Sequence, residues 1–202
     1  MKLATFEVAT AVGPIQRVGV SHALGLIDAT AARIAWNERR MSAAAAERIG
    51  RAQVPPHMLD LIATGDTVFD WIAESVEEMT RAGITRTHGG VPLVHAEGSF
   101  KLLAPVPRPA GVANFSVWPA HTEASAAHGF NLKRASEESG IKPYWKGNPD
   151  SYVGTDSVLE YPPYARELDV ECELVCIVGT GGKDLDVAAA ERAIAEIGRA
   201  HV

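Results

Sequence analysis

Leu168-Asp169-Val170-Glu171-Cys172-Glu173-Leu174-Val175-Cys176-Ile177-Val178-Gly179 carries the two-residue period of a β-strand. At that period Val170, Cys172, Leu174, Cys176 and Val178 form one apolar face, and Glu171 and Glu173 project together from the other. The glutamate face continues into Val175 and Ile177, so it is more than a wet surface. Two carboxylates beside apolar neighbours repel each other and lose hydration unless positive charge sits between them. A divalent cation meets that need, and hard oxygen donors suit Mg²⁺, Mn²⁺ or Ca²⁺ rather than zinc. Lysines paired across a solvated sheet edge meet it too, and the pattern leaves both sources open. Cys172 and Cys176 share the apolar face at a separation of about 13 Å, from a rise of roughly 3.3 Å per residue. That exceeds the ~7 Å limit for a disulfide, so core thiols in a reducing compartment are expected.

Upstream, residues 3–20 alternate apolar and polar positions around Val12-Gly13-Pro14, which predicts a β-hairpin. From about Asp28 to Gln53 the chain is rich in Ala, Arg and Glu, including Ala43 to Ala46, and helix is expected until Val54-Pro55-Pro56. A short helix from His57 to Ala63, closed by Gly65, precedes a third that starts near Asp66 or Thr67. There Val68, Ile72, Val76 and Met79 recur at helical spacing before Gly83. Short β-prone pieces follow at Val91 to His95 and Phe100 to Val106, and Pro105, Pro107 and Pro109 mark a rigid linker. Beyond it the pattern predicts a helix around His121 to Ser139, a loop from Ile141 to Asp150, strands between Tyr152 and Val178, and a helix from Asp186 to Ala195. His88-Gly89-Gly90 and Gly179-Thr180-Gly181-Gly182-Lys183 read as turns. The latter lacks the spacing of a phosphate loop. The expected fold class is α+β, with a small amino-terminal domain over residues 1–100 and a second domain over 101–195.

The chain has 202 residues, with 19 Lys and Arg against 25 Asp and Glu, a net charge of −6. At 47% hydrophobic and 22% charged it has a globular composition, which argues against disorder or coiled coil. The acidic balance argues against nucleic-acid or anionic-membrane binding, since either needs a basic face. No window approaches the ~18 apolar residues of a membrane span. Glu7 interrupts any signal-like run at the start, so a cytoplasmic protein acting on small molecules is expected.

These features resemble the fumarylacetoacetate hydrolase family. Met1 to Glu7, Arg17-Val18-Gly19-Val20 and Leu26-Ile27-Asp28 are similar to its variable amino-terminal domain, and Leu102 to Pro109 to the segment entering its catalytic domain. Ser151-Tyr152-Val153-Gly154, Leu168 to Leu174, and Ile177-Val178-Gly179 through Lys183-Asp184-Leu185 follow the order of its metal-binding core.

The resemblance implies a mixed β-roll catalytic domain and assigns Glu171 and Glu173 as ligands of Mg²⁺, with Ca²⁺ or Mn²⁺ as substitutes. It places the catalytic base at His121. The aspartate that some members carry seven residues earlier is Asn114 here, a neutral and weaker ligand. The glutamate that others carry three residues later is Ala124, beside Glu123. Tyr144, Trp145 and Lys146 fall where members offer groups to substrate, Tyr144 and Lys146 being the candidates. His128 is read as a surface residue. A neutral imidazole can take a proton from water, and the hydroxide can attack a polarised carbonyl. The implied activity is hydrolysis of a C–C bond in 1,3-dicarbonyl or 2-oxo acids of fumarylacetoacetate or acylpyruvate type, within aromatic catabolism. Decarboxylation or isomerisation of 2-oxo acids, and a non-catalytic ligand-binding domain, are the alternatives. The implied partner is a small carboxylic acid, and homodimers are common in the family.

Members continue for about another hundred residues, which supply a third acidic ligand and a substrate-binding lysine. Negligible activity is therefore expected of the chain as written. Residues 196–202, Glu-Ile-Gly-Arg-Ala-His-Val, coincide with one reading frame of a common sequencing adapter and are expected to be a non-native tail.

Overall fold

The computed structural model describes residues 1–127, 129, 137–138, 140, 142–168 and 170–201, with backbone alone for 196–201. They form two compact units, residues 1–106 with 154–202 and residues 107–153.

In the first unit the expected hairpin is present as β1 (Leu3–Thr10) and β2 (Gly13–His22), in register from Leu3↔Val20 to Thr10↔Gly13. Gly25–Asp28 (β3) folds back on β2, Val94–His95 (β4) pairs with β3, and Lys101–Leu102 (β5) pairs with β1. The result is an antiparallel sheet of order β4-β3-β2-β1-β5. Alternation along this register sorts its residues onto two faces. Val18, Val20 and Ile27 are buried on one, against the helices. Phe6, Arg17, Gly19, Leu26, Asp28 and His95 share the other. There Phe6 packs edge-on against His95 at 5.1 Å and Phe100 at 5.8 Å.

The helical layer comprises α1 (Ala29–Glu38), α2 (Ala43–Gln53), α3 (Met58–Ala63) and α4 (Thr67–Arg81). Asp28 ends β3 and caps α1, its Oδ1 accepting the Ala31 N–H at 2.8 Å. The helix-rich stretch from Asp28 to Gln53 breaks in two, because the Arg40 and Met41 amides both return to the Asn37 carbonyl, at 2.8 and 3.0 Å. Ser42 then restarts the chain from an extended conformation. Arg33 and Asn37 project from α1 and both bond Gln53 Oε1, at 2.8 and 3.1 Å, while Arg33 also reaches Glu74 Oε2 at 3.0 Å. One arginine thereby ties α1 to α2 and α4, its guanidinium lying 4.1 Å from the Trp36 ring centre. The periodicity of α4 is borne out, with Val68, Ile72, Val76 and Met79 all buried. Gly83, at φ 68°, ends it, and the Ile84 N–H returns to the Met79 carbonyl at 3.0 Å.

Several expectations need correction. The strand expected from Phe100 to Val106 is only Lys101–Leu102, since Pro105 and Pro107 have no N–H for the ladder. Strand structure expected from Tyr152 is absent from 152–168 among the described residues, where Pro162, Pro163 and a left-handed Asp156 at φ 63° interrupt pairing. Cys172–Val178 (β8) is the strand that forms there, antiparallel to Ile194–His201 (β9), with α6 (Val187–Ala193) between them. The helix expected to reach Ala195 stops at Ala193. Ladder pairing uses backbone groups that any non-proline residue supplies, so β9 leaves the expected origin of 196–202 untouched.

In the second unit Val112–Phe115 (β6) pairs antiparallel with Tyr144–Gly147 (β7), so the segment expected to be a loop contains a strand. Pro119–Ala127 (α5) opens the helix expected at His121 to Ser139, and residues 128, 130–136 and 139 of that expectation lie outside the described residues. Arg108 Nε meets Asp150 Oδ1 at 2.7 Å.

Two predictions follow from the first unit. A Cβ on Gly50 would lie 2.7 Å from Ile34 Cγ1 and 3.1 Å from Ile34 Cα, where α2 crosses α1. Gly50→Ala gains about 1 kcal/mol of helix propensity, but must separate the helices at a cost of about 1–3 kcal/mol. A net loss in urea unfolding is the expected outcome. The second concerns His95. Burial holds its pKa below the ordinary 6.5, with Arg17 adding and Asp28 opposing. The unfolded chain therefore takes the proton first, and His95 costs stability as pH falls below 6.5. Asp28 has the opposite sign: burial raises its pKa against Arg17, the Ala31 and Thr30 amides and His95, so stability is lost as pH rises above 3.8. The urea midpoint is expected to drop between pH 7.5 and 5.5, and to drop less in His95→Gln.

Candidate functional site

The sequence candidates fall in both units. In the first, Glu171 is exposed and directly precedes β8, and Glu173 lies within it, half-buried. The ladder register starts at Cys172, so it fixes the face of Glu173 and leaves Glu171 at the strand's entrance. The burial of β8 is the reverse of the expected one, because Glu173, Val175 and Ile177 are half-buried while Leu174 is 74% exposed and Val178 63%. Cys172 and Cys176 follow the exposed side, so the core-thiol expectation is corrected: both are free and exposed. The physical reason is that β8 has a single ladder partner and packs through its other face. Gly179 shows the contact, since a Cβ there would come within 3.3 Å of Ile62 Cγ2 on α3. Opposite Glu173 on β9 stands Ala200, and β9 contains no lysine.

In the second unit Asn114 faces Trp145 across the β6–β7 ribbon, while Phe115 faces Tyr144 and Ala113 faces Lys146. Cross-strand partners share a face and successive residues alternate. Asn114 thus lies on one face and Tyr144 with Lys146 on the other, beside Phe115, whose ring stacks on Tyr144 at 5.2 Å and 25°. Asn114 is half-buried, and Tyr144, Lys146 and His121 are exposed. His121 sits in the first turn of α5, an exposed helix. His128 lies outside the described residues.

The donor chemistry fits a hard divalent cation: two carboxylates at positions i and i+2 where β8 begins, one exposed and one half-buried. Among the described residues no group of three or more His, Cys, Asp or Glu side chains gathers into a complete ligand set. No helix among them is long and apolar enough to cross a membrane.

A mixed helix-and-strand chain with two carboxylates at the entrance of a strand is the class so far defined. Residues 118–197 match the sequence profile of the fumarylacetoacetate (FAA) hydrolase C-terminal family. This match supports membership of the chain in the fumarylacetoacetate hydrolase family, members of which generally bind divalent metals. It spans His121, Tyr144, Lys146, Glu171 and Glu173, and starts after Asn114. No curated protein matches the chain.

One group escaped the sequence. Arg17, Asp28 and His95 come together on the non-helical face of the five-stranded sheet, with Arg17 Nε 3.3 Å from Asp28 Oδ2. Each sits in a different strand, and no local pattern announces the pairing of β2, β3 and β4. The available signal was an arginine at an inward position of a strand, which requires a buried partner.

The exposure of β8 predicts that both Cys172 and Cys176 react with an aromatic disulfide reagent in the native protein. Two thiols titrating before any denaturant is the expected result, and core thiols would titrate only on unfolding.

Proposed function

We propose that the chain is part of a metal-dependent hydrolase that cleaves a C–C bond in 1,3-dicarbonyl or 2-oxo acids, with residues 101–195 forming the first part of a mixed β-roll catalytic domain. The observation that carries this is the pair Glu171 and Glu173, two residues apart where β8 begins, within a segment matching the fumarylacetoacetate hydrolase C-terminal family. Glu171 and Glu173 would hold a divalent cation, with Mg²⁺ the first choice. A cation bound there supplies Lewis-acid polarisation of a substrate carbonyl. His121 acts as general base: its imidazole takes a proton from water, and the oxygen of that water adds to the carbonyl carbon. The adduct collapses with cleavage of the C–C bond, and the electron pair passes to the departing carbon, delocalised onto its neighbouring carbonyl. His121 returns the proton to that carbon, so water is consumed and one acid and one ketone or second acid result. Lys146 offers a positive charge to the substrate carboxylate, and Tyr144 a ring face beside it. The free thiols support a reducing, cytoplasmic setting.

Metal binding is the test, because it is independent of turnover by the 202-residue chain. Mn²⁺ is expected to broaden the amide resonances flanking Glu171 and Glu173 at a single saturable site. Glu173→Gln and Glu171→Gln should each weaken that site at least tenfold. Pyruvate, a small 2-oxo acid, should tighten Mn²⁺ binding to the parent and not to the variants. Broadening that avoids β8, or that persists unchanged in both variants, overturns the assignment of ligands. Failure of pyruvate to tighten the site overturns the substrate class.

A further inference from the structure

We propose that a cavity on the non-helical face of the five-stranded sheet binds a small monocarboxylate with an apolar body. The cavity has a volume of about 220 Å³ and is walled by Val8, Ile15, Val91 and Pro92. Apolar cavities of ~150 Å³ already accept a benzene ring, so this one is sized for a single ring or a short branched chain. Arg17, Asp28 and His95 also line it.

The hydrogen bonding of these three residues is what points to an anion. Arg17 is only 12% exposed, and the contact of its guanidinium among the described residues is the Nε approach to Asp28 Oδ2 at 3.3 Å. A guanidinium carries five N–H donors, and the two terminal nitrogens form a fork that matches a carboxylate. The terminal nitrogens of Arg17 keep access to solvent, so a carboxylate entering the cavity would replace water on that fork with a charge-assisted pair. Asp28 cannot meet that demand, since its Oδ1 takes the Ala31 N–H at 2.8 Å and its Oδ2 is already directed to Nε. His95 is buried, and its Nε2 has no hydrogen-bond partner among the described residues. The same wall therefore holds a buried polar atom free to meet a ligand. A guanidinium bridging two carboxylates, one internal through Nε and one from the ligand on the fork, uses three of its five donors instead of one. No residue of this cavity belongs to β8 or to the family match at 118–197, so the inference stands apart from the proposed activity.

Benzoate is the probe, with benzyl alcohol as its uncharged counterpart, followed by amide chemical shifts of the full chain at pH 7. Benzoate is expected to give saturable shifts centred on Val8, Ile15, Val91 and His95, and benzyl alcohol to bind at least tenfold more weakly. Val91→Phe fills the cavity without altering Arg17 or Asp28, and should weaken benzoate at least tenfold while keeping a native spectrum. Should that variant fail to fold, Ile15→Phe makes the same test from an already exposed strand position. Absence of saturable shifts, shifts centred elsewhere, equal affinity for the alcohol, or benzoate binding undiminished in the filled variant would overturn the proposal.

Discussion

Everything in the first unit hangs on a buried carboxylate. Asp28 is 1% exposed, yet it serves three elements at once. Its amide donates to the Leu93 carbonyl at 2.8 Å, its Oδ1 caps α1, and its Oδ2 faces Arg17 on β2. Burying a carboxylate is expensive, and the cost is bearable only when hydrogen bonds and a counter-charge replace the water it loses. Because the partners come from β2, α1 and the segment before β4, the compensated state exists only when all three are in place. The constraint converts one unfavourable burial into a specification of how sheet and helices meet. Burial pushes the Asp28 pKa up while Arg17, the Ala31 and Thr30 amides and His95 pull it down, so the carboxylate is held between opposing effects.

The second fastening lies on the opposite side of α1. Arg33 is 3% exposed and joins Gln53 of α2 and Glu74 of α4, with its guanidinium over Trp36. Here the charge is shared with a half-exposed glutamate and an aromatic face, which costs less than a fully buried pair. The two arrangements explain why α1 can be mostly buried although its sequence, Ala-Thr-Ala-Ala-Arg-Ile-Ala-Trp-Asn-Glu, is not strongly apolar. Small alanines let neighbouring elements approach, and polar side chains at the edges choose which elements those are.

Elements defined by local patterns were legible in the sequence. The β1–β2 hairpin, α3 and α4 lie within a few residues of where turn residues and helical spacing put them. What the sequence hid was decided by long-range partners. The break at 39–42 depends on the Asn37 carbonyl being available to two amides, although every residue around it favours helix. In β8 the alternation was legible, but which face packs inward is set by what lies beside the strand, and hydrophobicity alone named the wrong side. The carboxylate pair itself was legible, because two like charges at i and i+2 need no tertiary information to be noticed. The Arg17, Asp28 and His95 grouping needed the register of three strands, which no local window contains.

The β6–β7 ribbon imposes a further condition on the candidate site. Asn114 and Trp145 occupy one face, and Tyr144 and Lys146 the other, so a single face of this ribbon cannot supply both a metal donor and the groups offered to substrate. Of the two roles, the metal donor is the one that the residue chemistry already weakens. An amide oxygen carries no charge and returns far less electrostatic stabilisation to a dication than a carboxylate does. On the proposed reading, the negative charge that these candidates offer a cation comes from Glu171 and Glu173, and Asn114 adds none. Within the ribbon, Lys146 shares its face with the stacked Phe115 and Tyr144 rings, so the cationic and aromatic groups stand together and apart from the amide.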